Sequence, residues 1–385
     1  MANRDRVLGV IGHSHKENEK RLPIHPRHIE RIDPALRQRI VLQQGYGAGF
    51  GIADDALAPL VAGVVGTDEL YERSDIVLLA KPTDADFGHW REGQTIWGWP
   101  HCVQGPAITQ VAIDRKMTLI AWEAMNLWRG EDVRDLHVFH KNNEIAGYAA
   151  VMHALGLLGS TGHYGRPLRA AVISFGLTAR GAVHALKGLG VSDVVCVTRR
   201  DTALLHSPIP GVRHFQFDQP AGARVANAYT DDGRKLSMPE ALEDFDIVVN
   251  CIYQDTDNPI FFVNRADLHR FSPGSIFIDV SCDDAMGFDF AKPTTFEEPM
   301  FKVGADLWYY AVDHTPSFLW RSATAEISEV VLKYLPDVMA GPTGWHAEKV
   351  VRKAIEIEDG VVCNPKILSF QKRSPEYPHP VLADL

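Results

Sequence analysis

The sequence predicts an α/β protein of two Rossmann-like domains with mainly parallel sheets and a cleft between them. Three observations predict it. Apolar runs of strand length alternate with longer helix-like segments, the pattern of βαβ units. A glycine-bearing turn, SFGLTARG, follows the apolar run AAVI and opens a helix-like stretch, as nucleotide-binding βα turns do. The length of 385 residues makes two domains the default at roughly 100–200 residues per domain.

In chain order, VLGVIG, RIVLQQG (39–45), SDIVLLAKP (74–82), GQTIWGW (93–99) and MTLIAWE (117–123) read as buried strands. HPRHIERID and GPAITQVAIDRK read as helices between them. EIAGYAAVMHALGLLG is apolar around most of its circumference, so it predicts a buried connecting helix. A second βα series starts near residue 169 with RAAVISFG and continues through VSDVVCVTRR, FDIVVNCIY and GSIFIDVSCD. PSFLWRSATAEISEVVLKYL reads as a long return helix. The tail beyond it shows no strand series of its own, and SPEYPHPVL (374–382) reads as an extended terminal arm. The expected division is a substrate (catalytic) domain of residues 1–140 plus 318–385 around a dinucleotide-binding domain of 141–317.

Composition excludes several classes of function. Apolar residues make up 45 % and charged residues 23 %, which rules out disorder, collagen and a disulfide scaffold. With 39 basic and 49 acidic residues the net charge is −10, so no field draws the chain to nucleic acid or anionic lipid. The five cysteines form no CxxC pair, as in a reducing compartment. The first apolar run is too short for a signal-peptide core. No run approaches the roughly 18 apolar residues of a membrane helix. A cytoplasmic enzyme with small-molecule partners is expected, assembled as a homo-oligomer.

Two glycine-rich turns compete for a phosphate. GYGAGFG (45–51) is followed by Asp54 and Asp55, whose charge would oppose a pyrophosphate, and is assigned to a tight loop. The cofactor is assigned to Ser174, Gly176, Leu177, Thr178 and Ala179, where Ser174 stands in the place of the first fingerprint glycine. The next strand ends in Thr198, Arg199 and Arg200 rather than in a carboxylate. Two guanidiniums can bind a ribose 2′-phosphate, which favours NADPH (NADP) over NADH.

Candidate chemistry lies in the first domain. Lys81, His101 and Glu123 each end an apolar strand, where ligands bind in open α/β sheets, and Arg21 follows the first strand. Arginine suits a carboxylate, while lysine and histidine suit proton transfer or carbonyl polarisation. No metal is expected: His13 and His15 have no carboxylate at ligand spacing, and HExxH is absent. No GxSxG nucleophile elbow is present either.

KENEKRLPIHP, LLAKP, EGQTIWGWPH and NNEIAGYAAV resemble the family that joins alanine dehydrogenase, lysine-forming saccharopine dehydrogenase and the transhydrogenase nucleotide-binding subunits. Within that family REGQTIWGWPH, HKNNEIAGYAAVMHAL, DHTPSFLWRSATAEIS and the altered glycine turn are most similar to the carboxyethylornithine synthase branch. The resemblance runs from about residue 7 to 335. It implies that Arg21 holds a substrate carboxylate and that Lys81 and His101 are the catalytic pair. It also implies that Asp283, in IDVSCDDAMG, stands beside nicotinamide and substrate. Glu123 is assigned to the amine substrate, and the tryptophans Trp97, Trp99, Trp122 and Trp128 suggest an unusual substrate pocket.

The expected activity is NADPH-dependent reduction of an imine formed from an amino acid and a 2-oxo acid. An alanine dehydrogenase-like enzyme using ammonia is the first alternative. A dinucleotide sensor without catalysis is the second, and it has no physical need for Arg21, Lys81, His101 and Asp283 together.

Overall fold

The computed structural model describes residues 6–220, 223–252, 259–282 and 286–382. The chain divides into two compact units, Met1–His140 with Trp320–Leu385, and Lys141–Leu319. No helix among the described residues is long and apolar enough to cross a membrane.

The apolar runs of the first unit build an eight-stranded sheet. Its parallel strands lie in the order Thr118–Ala121, Thr95–Gly98, Ile76–Leu79, Leu8–Val10, Ile40–Gln43, Gly63–Val65. The central strands are buried along their whole length, as continuous apolar runs covered on both faces must be. Strand order reverses beside Leu8–Val10, so the sheet has a switch point between that strand and Ile76–Leu79. Ligands of open α/β sheets bind outside the carboxyl ends of the strands at such a point.

Three expectations for this unit are corrected. HPRHIERID is not one helix but a 3-10 turn, Pro26–Arg31, and a separate helical turn, Pro34–Arg37. Asp33 caps Ala35 N–H at 2.8 Å and Pro34 starts the second turn afresh. The tail does contain strands. Ile355–Glu358 adds antiparallel to Thr118–Ala121, and Val361–Val362 pairs with it. The short alternating stretch IEIE carries no apolar run, so only the sheet edge beside it makes it a strand. Residues 374–382 fold back rather than extend, with Arg373 bridged to Val381 and Ser374 N–H donating to Pro380 O at 2.9 Å.

The second unit holds a nine-stranded sheet. Its parallel core runs Val212–Asp218, Asp193–Thr198, Arg169–Ile173, Ile247–Asn250, Ile276–Asp279, Leu307–Tyr310, with short antiparallel strands at both edges. Alternation along each strand feeds two separate cores. Ala171, Ile173, Val195 and Val248 enter one, and Ala170, Val172, Val194 and Val249 enter the other.

The helix His140–Leu158 is not buried all round. Ala150, Val151, Ala154 and Leu155 pack into one core, whereas Tyr148 and Leu157 are exposed. Its apolar circumference therefore overstates its burial. Gly147 and Gly181 let this helix meet Leu177–Gly188 backbone to backbone. A Cβ on Gly147 would lie 1.9 Å from Thr178 O, and one on Gly181 would lie 1.8 Å from Glu144 O.

Candidate active site

Lys81, His101 and Glu123 lie just beyond the carboxyl ends of three adjacent parallel strands, and the first unit brings them together. Lys81 Nζ and His101 Nε2 are 2.8 Å apart. Two protonated nitrogens cannot share that distance, so one group donates to the other's lone pair and the pair holds a transferable proton. Ser14 Oγ donates to Lys81 O at 2.8 Å, which ties the lysine's backbone across the switch point.

Glu123 Oε1 accepts His101 N–H at 2.7 Å and stands 3.9 Å from His101 Nδ1. Its Oε2 is buried and has no hydrogen-bond partner among the described residues, although the side chain as a whole keeps 30 % exposure. Burial first, and then the charge of Glu356, push the Glu123 carboxyl up to about 8. Behind it burial holds His137 down to about 4, so that ring is neutral. The result is a proton-holding carboxyl beside a lysine–histidine pair, with proton donors and acceptors on three neighbouring strand ends.

Arg21 is placed in the same unit but is already engaged. Its Nε donates to Glu19 Oε1 at 2.8 Å, a terminal NH2 reaches Glu19 Oε2, and its guanidinium carbon stands 4.8 Å from the Trp99 ring centre. Both Arg21 and Glu19 are buried. Their loop is tied to the return helix by Leu22 N–H on Thr324 Oγ1 at 3.0 Å. The tryptophan cluster is a correction. Trp97 and Trp122 are fully buried as core, with Trp122 meeting Trp97 and Trp99 edge-on and Phe139 at a tilt, while Trp128 lies under Arg134 and Lys353.

In the second unit the turn after Arg169–Ile173 fits a dinucleotide. Ser174 takes φ +103°, a backbone that favours glycine, and its Oγ accepts Gly176 N–H at 3.2 Å. Gly176 has an ordinary φ of −80°, and a Cβ there would meet nothing nearer than Ser174 Oγ at 3.6 Å. The fold itself does not demand glycine at 176, and the open space above it suits the close approach of a pyrophosphate. Leu177, Thr178 and Ala179 begin the helix Leu177–Gly188. Arg180 stacks 4.2 Å from the Phe175 ring centre and donates to Ser207 O and His206 O at 2.7 and 2.6 Å. Thr198 ends its strand with Oγ1 accepting Arg200 N–H at 3.2 Å, and Arg199 lies 5.6 Å over Phe217. Both arginines are exposed.

Asp283 lies outside the described residues. The strand before it ends on Asp279, a buried carboxylate that accepts from Asn250 Nδ2 at 3.0 Å, Tyr309 OH at 2.8 Å and Cys282 N–H at 3.1 Å. Among the described residues no group of three histidine, cysteine or acidic side chains is placed to hold a metal ion. Sequence reading missed Glu19, His137 and Glu356. Glu19 was within reach, because a carboxylate two residues from an arginine can pair with it. His137 and Glu356 join the site only through tertiary structure.

The fold and its relatives define an α/β oxidoreductase of amino-acid metabolism. The model of the alanine dehydrogenase/PNT N-terminal domain matches residues 10–146, and that of the C-terminal domain matches 150–365. The chain belongs to this family. Alanine dehydrogenase of Mycolicibacterium smegmatis is 24 % identical over 361 residues, covering 90 % of this chain and 91 % of that protein. N(5)-(carboxyethyl)ornithine synthase of Clostridium botulinum is 24 % identical over 338 residues, covering 85 % and 93 %. A solved L-alanine dehydrogenase structure shares the fold at a TM-score of 0.76 and 18 % identity, covering 94 % of this chain and 98 % of that one.

Proposed function

We propose that this protein is an NADPH-dependent oxidoreductase that joins a 2-oxo acid to the amine of an amino acid and reduces the imine they form. The observation that carries the reading is the 2.8 Å contact of Lys81 with His101, backed by Glu123 at the strand ends. Imine formation needs one proton transfer to assemble the carbinolamine and another to expel its hydroxyl as water. A touching lysine–histidine pair can do both, taking a proton from the attacking amine and returning it to the leaving oxygen. Arg21, already fixed by Glu19, holds the 2-oxo carboxylate through the same guanidinium. Glu123 holds the amine, and Asp283 orients the imine or the cofactor.

Bound NADPH supplies the two electrons and the hydrogen that reduce the imine carbon. Ser174, Gly176, Leu177, Thr178 and Ala179 would hold its pyrophosphate. Thr198, Arg199 and Arg200 would hold the adenosine ribose, the arginines favouring a 2′-phosphate over a free hydroxyl. Residues 1–140 with 318–385 thus carry the substrate chemistry and 141–317 the dinucleotide. The partners are an amino acid and a 2-oxo acid, with the enzyme a cytoplasmic homo-oligomer. An alanine dehydrogenase-like reaction with ammonia is the second reading, supported by the equal 24 % identity to the mycobacterial enzyme.

A preformed cyclic imine needs no condensation and so separates the steps. Lys81→Met is expected to damage the condensing reaction far more than reduction of that imine, both followed by NADPH absorbance. Equal loss in both would overturn the acid–base assignment, and a wild-type enzyme that turns over neither would overturn the function.

A further inference from the structure

The C-terminal segment supplies none of the residues assigned to the reaction, yet it grips the loop that carries His101. Gln371 follows the helix Pro365–Phe370. Its Nε2 donates to Cys102 O at 2.6 Å, Val103 O at 3.2 Å and Thr109 Oγ1 at 3.2 Å. Its Oε1 accepts from Arg373 Nε at 2.7 Å, which sets the direction in which the amide points. Arg373 is 5 % exposed and also donates to Gln110 Oε1 at 2.8 Å, His379 O at 3.1 Å and Pro106 O at 3.5 Å. The buried His379 completes the brace, its Nε2 accepting Val362 N–H at 3.1 Å and its Nδ1 lying 3.0 Å from Ser374 O.

The loop has reason to need holding. His101 has φ +48°, a left-handed backbone that is unfavourable for a non-glycine residue. Such a conformation persists where its surroundings over-determine it. On one side Glu123 Oε1 takes the His101 N–H. On the other, the Cys102 carbonyl accepts from Gly105 N–H at 3.3 Å, Thr109 Oγ1 at 3.0 Å and Gln371. Gln371 is the only one of these that reaches the loop from the distant C-terminal segment.

We infer that Gln371, aimed by Arg373, is a positioning residue that sets the His101 ring against Lys81. The inference rests on reading Lys81 and His101 as the acid–base pair. Gln371→Leu removes the donors at nearly constant volume. Arg373→Lys removes the planar fork that aims the amide and is the milder variant if the first does not fold. Ile367→Val, a cut in the buried packing of the same tail, is the control for stability alone.

Two measurements are made on each: kcat and KM with NADPH, 2-oxo acid and amino acid, and the NMR titration of His101, whose signal is identified with His101→Asn. Gln371→Leu is expected to lower kcat about tenfold to a hundredfold with the KM for NADPH unchanged, as small misplacements of catalytic groups do. It is also expected to move the His101 titration midpoint, with Arg373→Lys doing the same to a smaller degree and Ile367→Val doing neither. A wild-type His101 midpoint in folded Gln371→Leu, or losses no larger than those of Ile367→Val, would overturn the inference. If the wild type shows no turnover, the NMR comparison still decides. A moved midpoint then keeps the brace while the functional reading fails.

Discussion

Glu123 Oε1 accepts the His101 N–H while Oε2 is buried with no hydrogen-bond partner among the described residues, so its two oxygens make opposite demands on its proton. Burial and Glu356 prevail and hold the carboxyl at about 8, above the ordinary 4.5. The folded state therefore keeps a proton that the unfolded chain has lost across that window, and stability falls as the pH rises through it. Glu123→Gln is expected to flatten this fall between about 4.5 and about 8. Thermal denaturation over that range measures it, and curves running parallel to the wild type would contradict the assignment. At the other site, replacing Arg199 and Arg200 is expected to weaken NADPH about tenfold or more and NADH much less, since a charged hydrogen bond contributes about 1.5–3 kcal/mol. Fluorescence titration with both cofactors checks this, and equal losses would show that the arginines do not read the phosphate. Single residues were legible where a polar side chain ends an apolar run, as at Lys81, His101 and Glu123. They were not legible where a partner arrives from far along the chain, as Glu356 does.

Strands were read well where they are central and poorly where they are edges. IVLL and DVVCVT are buried on both faces, and that demands apolar continuity visible in a single window. Ile355–Glu358 and Lys235–Ser237 exist because a sheet edge offers them hydrogen bonds, and composition does not record that. Helices mislead in the other direction. The apolar circumference of His140–Leu158 reflects small residues that admit a close neighbour as much as it reflects burial. The contact at Gly147 and Gly181 is testable at this scale. Gly181→Ala places a Cβ 1.8 Å from Glu144 O and forces the two helices apart. A loss of about 1–3 kcal/mol is expected, as for overpacked interiors. Urea denaturation measures it, and a variant as stable as the wild type would contradict the backbone contact.

For the whole molecule, two mainly parallel sheets follow from two βα series, each opened by a buried strand at a switch point. The glycine turn fits a cofactor in one unit, and the lysine–histidine pair offers acid–base chemistry in the other. What stayed hidden in the tail, whose place with residues 1–140 was expected, was its strands and its hydrogen bonds to a loop more than two hundred residues earlier in the chain. The central claim is that these parts join a 2-oxo acid to an amino-acid amine. It is tested most directly by NADPH oxidation with pyruvate, first with ammonia and then with individual amino acids, and mass spectrometry of the product. Turnover that requires an amino acid, with an N-carboxyalkyl amino acid as product, is the predicted result. Oxidation with ammonia alone, yielding alanine, would contradict it.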